Sequence, residues 1–152
     1  SWERGHRTVM VLNKEVIRER LKPLREILAN LRELQGIPED EFLSTFRNYW
    51  LGERGLQLAA ETTLDIGNHI LSGYFQVVAQ DYESVLDLLL EKRVISQDLR
   101  KRLKGLGGFR NILVHEYISI DRRRIYQELK GGLDDFDAFV GEIILWMKGN
   151  LD

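Results

Sequence analysis

The run Gly107-Gly108-Phe109-Arg110-Asn111-Ile112-Leu113-Val114-His115-Glu116-Tyr117 gathers a guanidinium, a carboxamide, an imidazole and a phenol into one short stretch. Together these groups suit phosphate chemistry. A permanently charged planar fork binds phosphoryl oxygens, an imidazole is the side-chain type that moves protons near neutral pH, and a carboxamide can orient either of them. No metal is needed for this set. On a helix Asn111 and His115 share a face, Arg110 lies beside Asn111, and Tyr117 returns beneath Arg110 after two turns if the helix runs that far. Ile112, Leu113 and Val114 are then expected on the core side. An arginine and a histidine at this spacing arise readily by chance in a chain so rich in arginine, so the surrounding residues decide.

Two further polar groupings bear on the same chemistry. Glu61, Asp65 and His69 recur every four residues and form a stripe on an otherwise apolar helix. Such a stripe could ligate a divalent ion, complement a basic neighbour, or orient Arg110 or His115 as supporting groups. Charge is also uneven along the chain. Residues 33–91 hold eleven acidic and two basic residues, whereas 92–124 hold ten basic and three acidic ones. Lys104, Arg122, Arg123 and Arg124 stand out in that basic stretch as candidates to rest on an RNA backbone. A solvated helix face paired with the acidic stretch would look the same. Trp50, Trp146 and Tyr126 are read as core or interface aromatics rather than as platforms for bases.

The elements that must position these groups are helical. Ile17, Leu21, Leu24, Leu28 and Leu31 alternate steps of four and three between Asn13, read as an N-cap, and Gly36, read as a stop, with Pro23 expected to kink or restart the helix. A second stretch runs from Pro38 to about Val78, with Gly52 and Gly55 as possible breaks. A third starts at Asp81, a fourth near Ser96 with Leu99, Leu103 and Leu106 as its buried side, and a last one spans Asp134 to Met147. Only Tyr117–Ile120 alternates with a period of two, too briefly to found a sheet. The expected fold is an all-α antiparallel bundle of about five helices.

At 152 residues the chain has the size of one domain, and its formal net charge of −2 argues against a polycationic mode of nucleic-acid binding. Cysteine is absent, which removes disulfides, thiolate nucleophiles and cysteine-based metal sites. With no long apolar run, no membrane association and a cytoplasmic location are expected. Residues 1–9 lack periodicity and are read as a tag or flexible extension before a domain over 10–152.

The segment Phe109 to Tyr117, followed by Ile118-Ser119-Ile120-Asp121, resembles the HepT-like branch of the HEPN superfamily, whose signature is Arg-x4-His-x-Tyr with Asn after the Arg. The likeness extends through Ala60-Glu61, Asp65 to Ile70, Asp81-Tyr82, Val94-Ile95 and Leu99, and departs around Leu51 to Gly55 and at the N-terminus. It implies a metal-independent RNA endonuclease that acts as a toxin and forms homodimers in which two copies of the motif face one cleft. By that resemblance Arg110 and His115 are catalytic, and Asn111 supports them. It also implies that Tyr117 accepts adenylate from a cognate nucleotidyltransferase antitoxin, which uses ATP as donor, and that the chain needs no cofactor of its own. On residues alone, Tyr117 could simply close a helix end with its hydroxyl in solvent. A catalytically silent helical module that binds nucleotide or a transferase is the competing reading. Metal-free RNA cleavage separates the two.

Overall fold

A computed structural model describes residues 12–115 and 121–152. Over these residues the chain forms eight helical segments and no strand: α1 (Lys14–Gln35), α2 (Glu39–Ser44), α3 (Phe46–Phe75), α4 (Tyr82–Glu91), α5 (Gln97–Arg102), α6 (Leu106–Val114), α7 (Arg122–Gly131) and α8 (Leu133–Asn150). The all-α bundle expected from periodicity is the fold observed. Residues 1–9 and Tyr117 lie outside the described residues. Among the described residues no helix is long and apolar enough to cross a membrane.

Local chemistry explains the starts of several helices. Asn13 caps α1, its side-chain oxygen accepting from Val16 N at 2.9 Å, and Ile17, Leu21, Leu24, Leu28 and Leu31 are all buried along one stripe. Pro23 does not restart this helix, which is continuous to Gln35. Asp81 caps α4 in a reciprocal box with Ser84, and Ser96 caps α5.

The second helical stretch breaks elsewhere than expected. Thr45, extended at φ −107° and ψ 107°, separates α2 from α3, and α3 runs unbroken through Gly52 and Gly55. Both glycines serve close approach instead. A Cβ on Gly52 would meet Leu129 at 3.1 Å and Ile125 and Phe42 at 3.2 Å, and one on Gly55 would collide with the Leu31 side chain of α1. The fourth helix divides as well. Gly105 adopts φ +88°, which ends the α5 turn and lets α6 start at Leu106. α7 lies where the sequence reading places no helix, and three arginines in its first turn oppose the helix dipole; Asp121 caps it by accepting from Arg123 N at 2.9 Å, and buried Ile125, Tyr126 and Leu129 hold it down.

α3 is the axis of the bundle, with α1, α4, α6, α7 and α8 packed around it. The packing that matters for function is the meeting of α4 with α6. The backbone of Gly107 lies against the first turn of α4, so that a Cβ there would sit 2.7 Å from Glu83 N and 3.0 Å from Tyr82 Cβ. Its N–H donates to Glu83 Oε1 at 2.7 Å, while Glu83 Oε2 accepts from Arg100 Nη2 at 3.0 Å. The neighbouring Gly108 has open space around it.

The two glycines therefore make opposite predictions. Gly107→Ala, pressed against backbone that cannot yield cheaply, should lose about 1–3 kcal/mol in urea unfolding. Gly108→Ala should be neutral or gain up to about 1 kcal/mol from helix propensity.

Candidate active site

α6 buries Leu106, Phe109 and Leu113, which fixes the outward direction of the residues between them. This corrects the expected core side: Ile112 is 37% exposed and Val114 only half-buried, so Leu113 alone of the three lies in the core. The helix also stops sooner than the longest reading of the motif required. Val114 is its last residue, and His115 turns out of it at φ −78° and ψ 102°. The two-turn return of Tyr117 beneath Arg110 on a continuous helix is thereby removed.

Of the motif's described polar groups, Arg110 is the most enclosed. Its guanidinium carbon lies 4.3 Å from the centroid of the Tyr82 ring at the start of α4. Nη1 donates to Asn111 Oδ1 at a long 3.3 Å, and Nη2 faces Glu61 Oε1 at 3.7 Å. Nε is buried with no hydrogen-bond partner among the described residues. The side chain is thus held chiefly by the face of its planar group, and that leaves most of its five N–H donors lightly used. Asn111 and His115 are exposed on the open side of α6. Arg110 leans on α3 and α4, while His115, past the last helical residue, is exposed.

The polar stripe of α3 runs past this arginine. Glu61 accepts from Gln57 Nε2 at 3.2 Å and faces Arg110, and Asp65 follows one turn later. Loss of hydration, then the adjacent Glu61, push the Asp65 carboxyl above the ordinary range, while Arg110 and Arg20 oppose the rise. Burial, helped by Arg20, pulls the His69 imidazole down, which keeps it neutral. Its Nε2 and Thr63 Oγ1 are, like Arg110 Nε, buried atoms without a partner among the described residues. Glu61, Asp65 and His69 do not converge, and among the described residues no group of three or more such side chains could hold a metal ion.

The candidate RNA contacts separate into two kinds. Lys104 and Arg123 are exposed and show no side-chain partner among the described residues. Arg122 is committed to the fold, donating to the Leu43 carbonyl at 3.0 Å with its guanidinium 5.0 Å from the Tyr49 ring. Arg124 pairs with Glu128 at 3.1 Å and covers the Phe109 ring at 5.0 Å. Lys104 and Arg124 do come together around one cavity of about 120 Å³ behind α6. Elsewhere in the basic stretch Arg100 pairs with Glu83 and Asp87, and Arg102 with Asp135, so much of that charge is answered within the molecule. Of the aromatics, Trp146 and Tyr126 are buried, whereas Trp50 is 63% exposed. Tyr82 is the site residue that spacing missed. Nothing in periodicity ties the start of α4 to a motif on α6.

A pH prediction follows from Asp65. Because its folded-state pKa is raised, the native protein binds a proton more readily than the unfolded chain, and the resulting penalty is absent below the unfolded carboxylate pKa and complete above the folded one. Asp65→Asn should therefore raise the melting temperature at pH 7 and lose that advantage near pH 3. Equal shifts at both pH values would contradict this.

Comparison with known proteins agrees with the geometry. The family model described as Ribonuclease HepT-like matches residues 16–143. The tRNA nuclease HepT of Aphanizomenon flos-aquae is 30% identical over 129 residues, which is 84% of this chain and 87% of that one. The mRNA nuclease HepT of Shewanella oneidensis is 32% identical over 88 residues, 58% of this chain and 66% of that one. A solved structure, the tri-AMPylated Shewanella oneidensis HEPN toxin in complex with MNT antitoxin, aligns with a TM-score of 0.77 at 25% sequence identity, covering 88% of this chain and 99% of that one. With its helical bundle and its Arg110-to-Tyr117 motif, the chain belongs to the Ribonuclease HepT-like family.

Proposed function

We propose that this chain is a metal-independent endoribonuclease, the toxin of a toxin–antitoxin pair, restrained by a nucleotidyltransferase that adenylylates Tyr117. The observation that carries the reading is the Arg110 guanidinium, fixed by its face on Tyr82 with its donors lightly engaged, on the same short helix that ends at the exposed His115. A cation held this way can take phosphoryl oxygens without first breaking strong bonds of its own.

In the proposed reaction the ribose 2′-oxygen attacks the adjacent phosphorus and the bond to O5′ breaks. The 2′-hydroxyl proton is released, and O5′ gains a proton. His115 transfers a proton at one of these two atoms, Arg110 donates to the non-bridging oxygens as charge accumulates, and Asn111 orients the arginine. Glu61 faces the cation's other edge, and Asp65 adds negative charge one turn further along α3. Of the four candidates, Lys104 and Arg123 have no side-chain partner among the described residues and are open to a passing backbone.

A homodimer fits the surface beside the motif. Phe46, Trp50 and Leu51 are 58%, 63% and 49% exposed, and Trp50 borders a cleft of about 390 Å³ that reaches Leu113 and Val114 of α6. Such a patch next to His115 suits a second copy that brings its own motif to the same cleft. Restraint by the partner has equally direct chemistry. The Tyr117 oxygen would attack the α-phosphorus of ATP and release pyrophosphate, and the attached nucleotide would compete with RNA for Arg110 by charge and by volume. The modified toxin from Shewanella oneidensis supports this step for a relative.

The wild-type protein should cleave RNA in excess chelator. His115→Ala should lose about 10²- to 10⁴-fold in rate with an unchanged melting temperature. Cleavage retained by folded His115→Ala would remove the proposed mechanism, and a wild type that binds nucleotide but cuts nothing would favour a docking module. Co-expression with the cognate transferase should add adenylate mass to the wild type and none to Tyr117→Phe.

A further inference from the structure

Tyr82 has a second neighbourhood besides Arg110. Together with Asn68, Ala79, Gln80, Asp81 and Val85 it lines a cleft of about 300 Å³ between α3 and the start of α4. Arg110 does not line this cleft, so Tyr82 is the residue that the candidate phosphate site and the adjoining concavity share. The lining has a definite chemistry. Val85 and Ala79 offer an apolar floor, Tyr82 an aromatic side, and Asn68 and Gln80 two exposed carboxamides with no hydrogen-bond partner among the described residues.

We propose that this cleft is a nucleobase subsite, which takes the base next to the phosphate held by Arg110, packs it against Tyr82 and meets its edge with Asn68 and Gln80. The inference deepens the nuclease reading and rests on it. An aromatic wall suits any base, since each has a π face, and carboxamides carry the paired donor and acceptor that base edges require. Asp81 argues against a second phosphate here. Its carboxyl accepts from Ser84 N at 2.8 Å and is held below the ordinary range by that bond, so it remains a negative charge at the rim that repels phosphate and tolerates an amino group. The subsite would also give Tyr82 two tasks, orienting the arginine and seating the base, so that a correctly placed base and a correctly placed phosphate would depend on one ring.

The test uses two 2′-O-methyl tetranucleotides, which lack the attacking hydroxyl and cannot be cut by the proposed route. One is complete and the other abasic on one side of its central phosphate, with each side tried in turn. In side-chain NMR the Arg110 Nε–H should shift with both ligands, and the Asn68 and Gln80 amide signals only with the complete one. The variant Asn68→Ala/Gln80→Ala and, separately, Tyr82→Leu should bind the complete ligand at least about fivefold more weakly than wild type does. Tyr82→Phe should restore that affinity, because the ring and not the hydroxyl is required. The double variant should not change binding of the abasic ligand.

An Arg110 signal unmoved by either ligand would overturn the nuclease reading and this one with it. An Arg110 signal that moves while Asn68 and Gln80 respond alike to both ligands would overturn the subsite alone.

Discussion

The site depends on the absence of a side chain at Gly107. Because nothing projects there, the first turn of α4 can lie against the backbone of α6, where Glu83 accepts the Gly107 amide proton and Tyr82 comes level with Arg110. Close backbone approach is unforgiving, since a shift of one methyl group must be absorbed by an entire helix. The arginine's position is therefore inherited from helix packing rather than from a dedicated set of hydrogen bonds. Arg100, bridging Glu83 and Asp87 on α4, braces the same joint from the α5 side.

Holding a cation by its face has a functional consequence. An arginine locked by two close carboxylates would have to surrender those bonds before it could bind phosphate. Here the facing carboxylate is Glu61 at 3.7 Å, Asn111 is at the long end of hydrogen bonding, and Tyr82 supplies orientation without consuming donors. Glu61 on α3 still faces the charge of Arg110, whereas attraction to Arg110 and Arg20 offsets only part of the cost of charging Asp65 beside Glu61. His115 contributes differently. It stands where α6 has ended, exposed, one residue after Val114, which lines a cleft together with Trp50.

Much of this was legible in the chain, and the gaps have physical causes. The α1 stripe, the Asn13 cap and the helix starts at Asp81 and Ser96 are local signals, and each appears where spacing placed it. The break at Thr45 was invisible because Gly52 and Gly55 look like interruptions, although both serve contacts from distant helices. Ile112 has the composition of a core residue but lies on the outward face, because Phe109 and Leu113 set the rotation of α6. The motif itself was readable as chemistry, and its resemblance named the family that residues 16–143 match. The role of Tyr82 was not readable, since a contact between the starts of two helices is a product of the fold alone. Arg122 shows the converse: it counted as a candidate for RNA, yet it clasps the end of α2 and so anchors the chain just beyond the motif.

The central claim is that the phosphodiester over Arg110 and His115 is broken by its own ribose hydroxyl. The most direct measurement is the chemistry of the fragment ends after limited digestion of a single defined RNA by the wild-type protein. The account predicts a 2′,3′-cyclic phosphate on the upstream fragment and a 5′-hydroxyl on the downstream one. A 3′-hydroxyl paired with a 5′-phosphate would mean that water or another nucleophile attacked instead, and would contradict it.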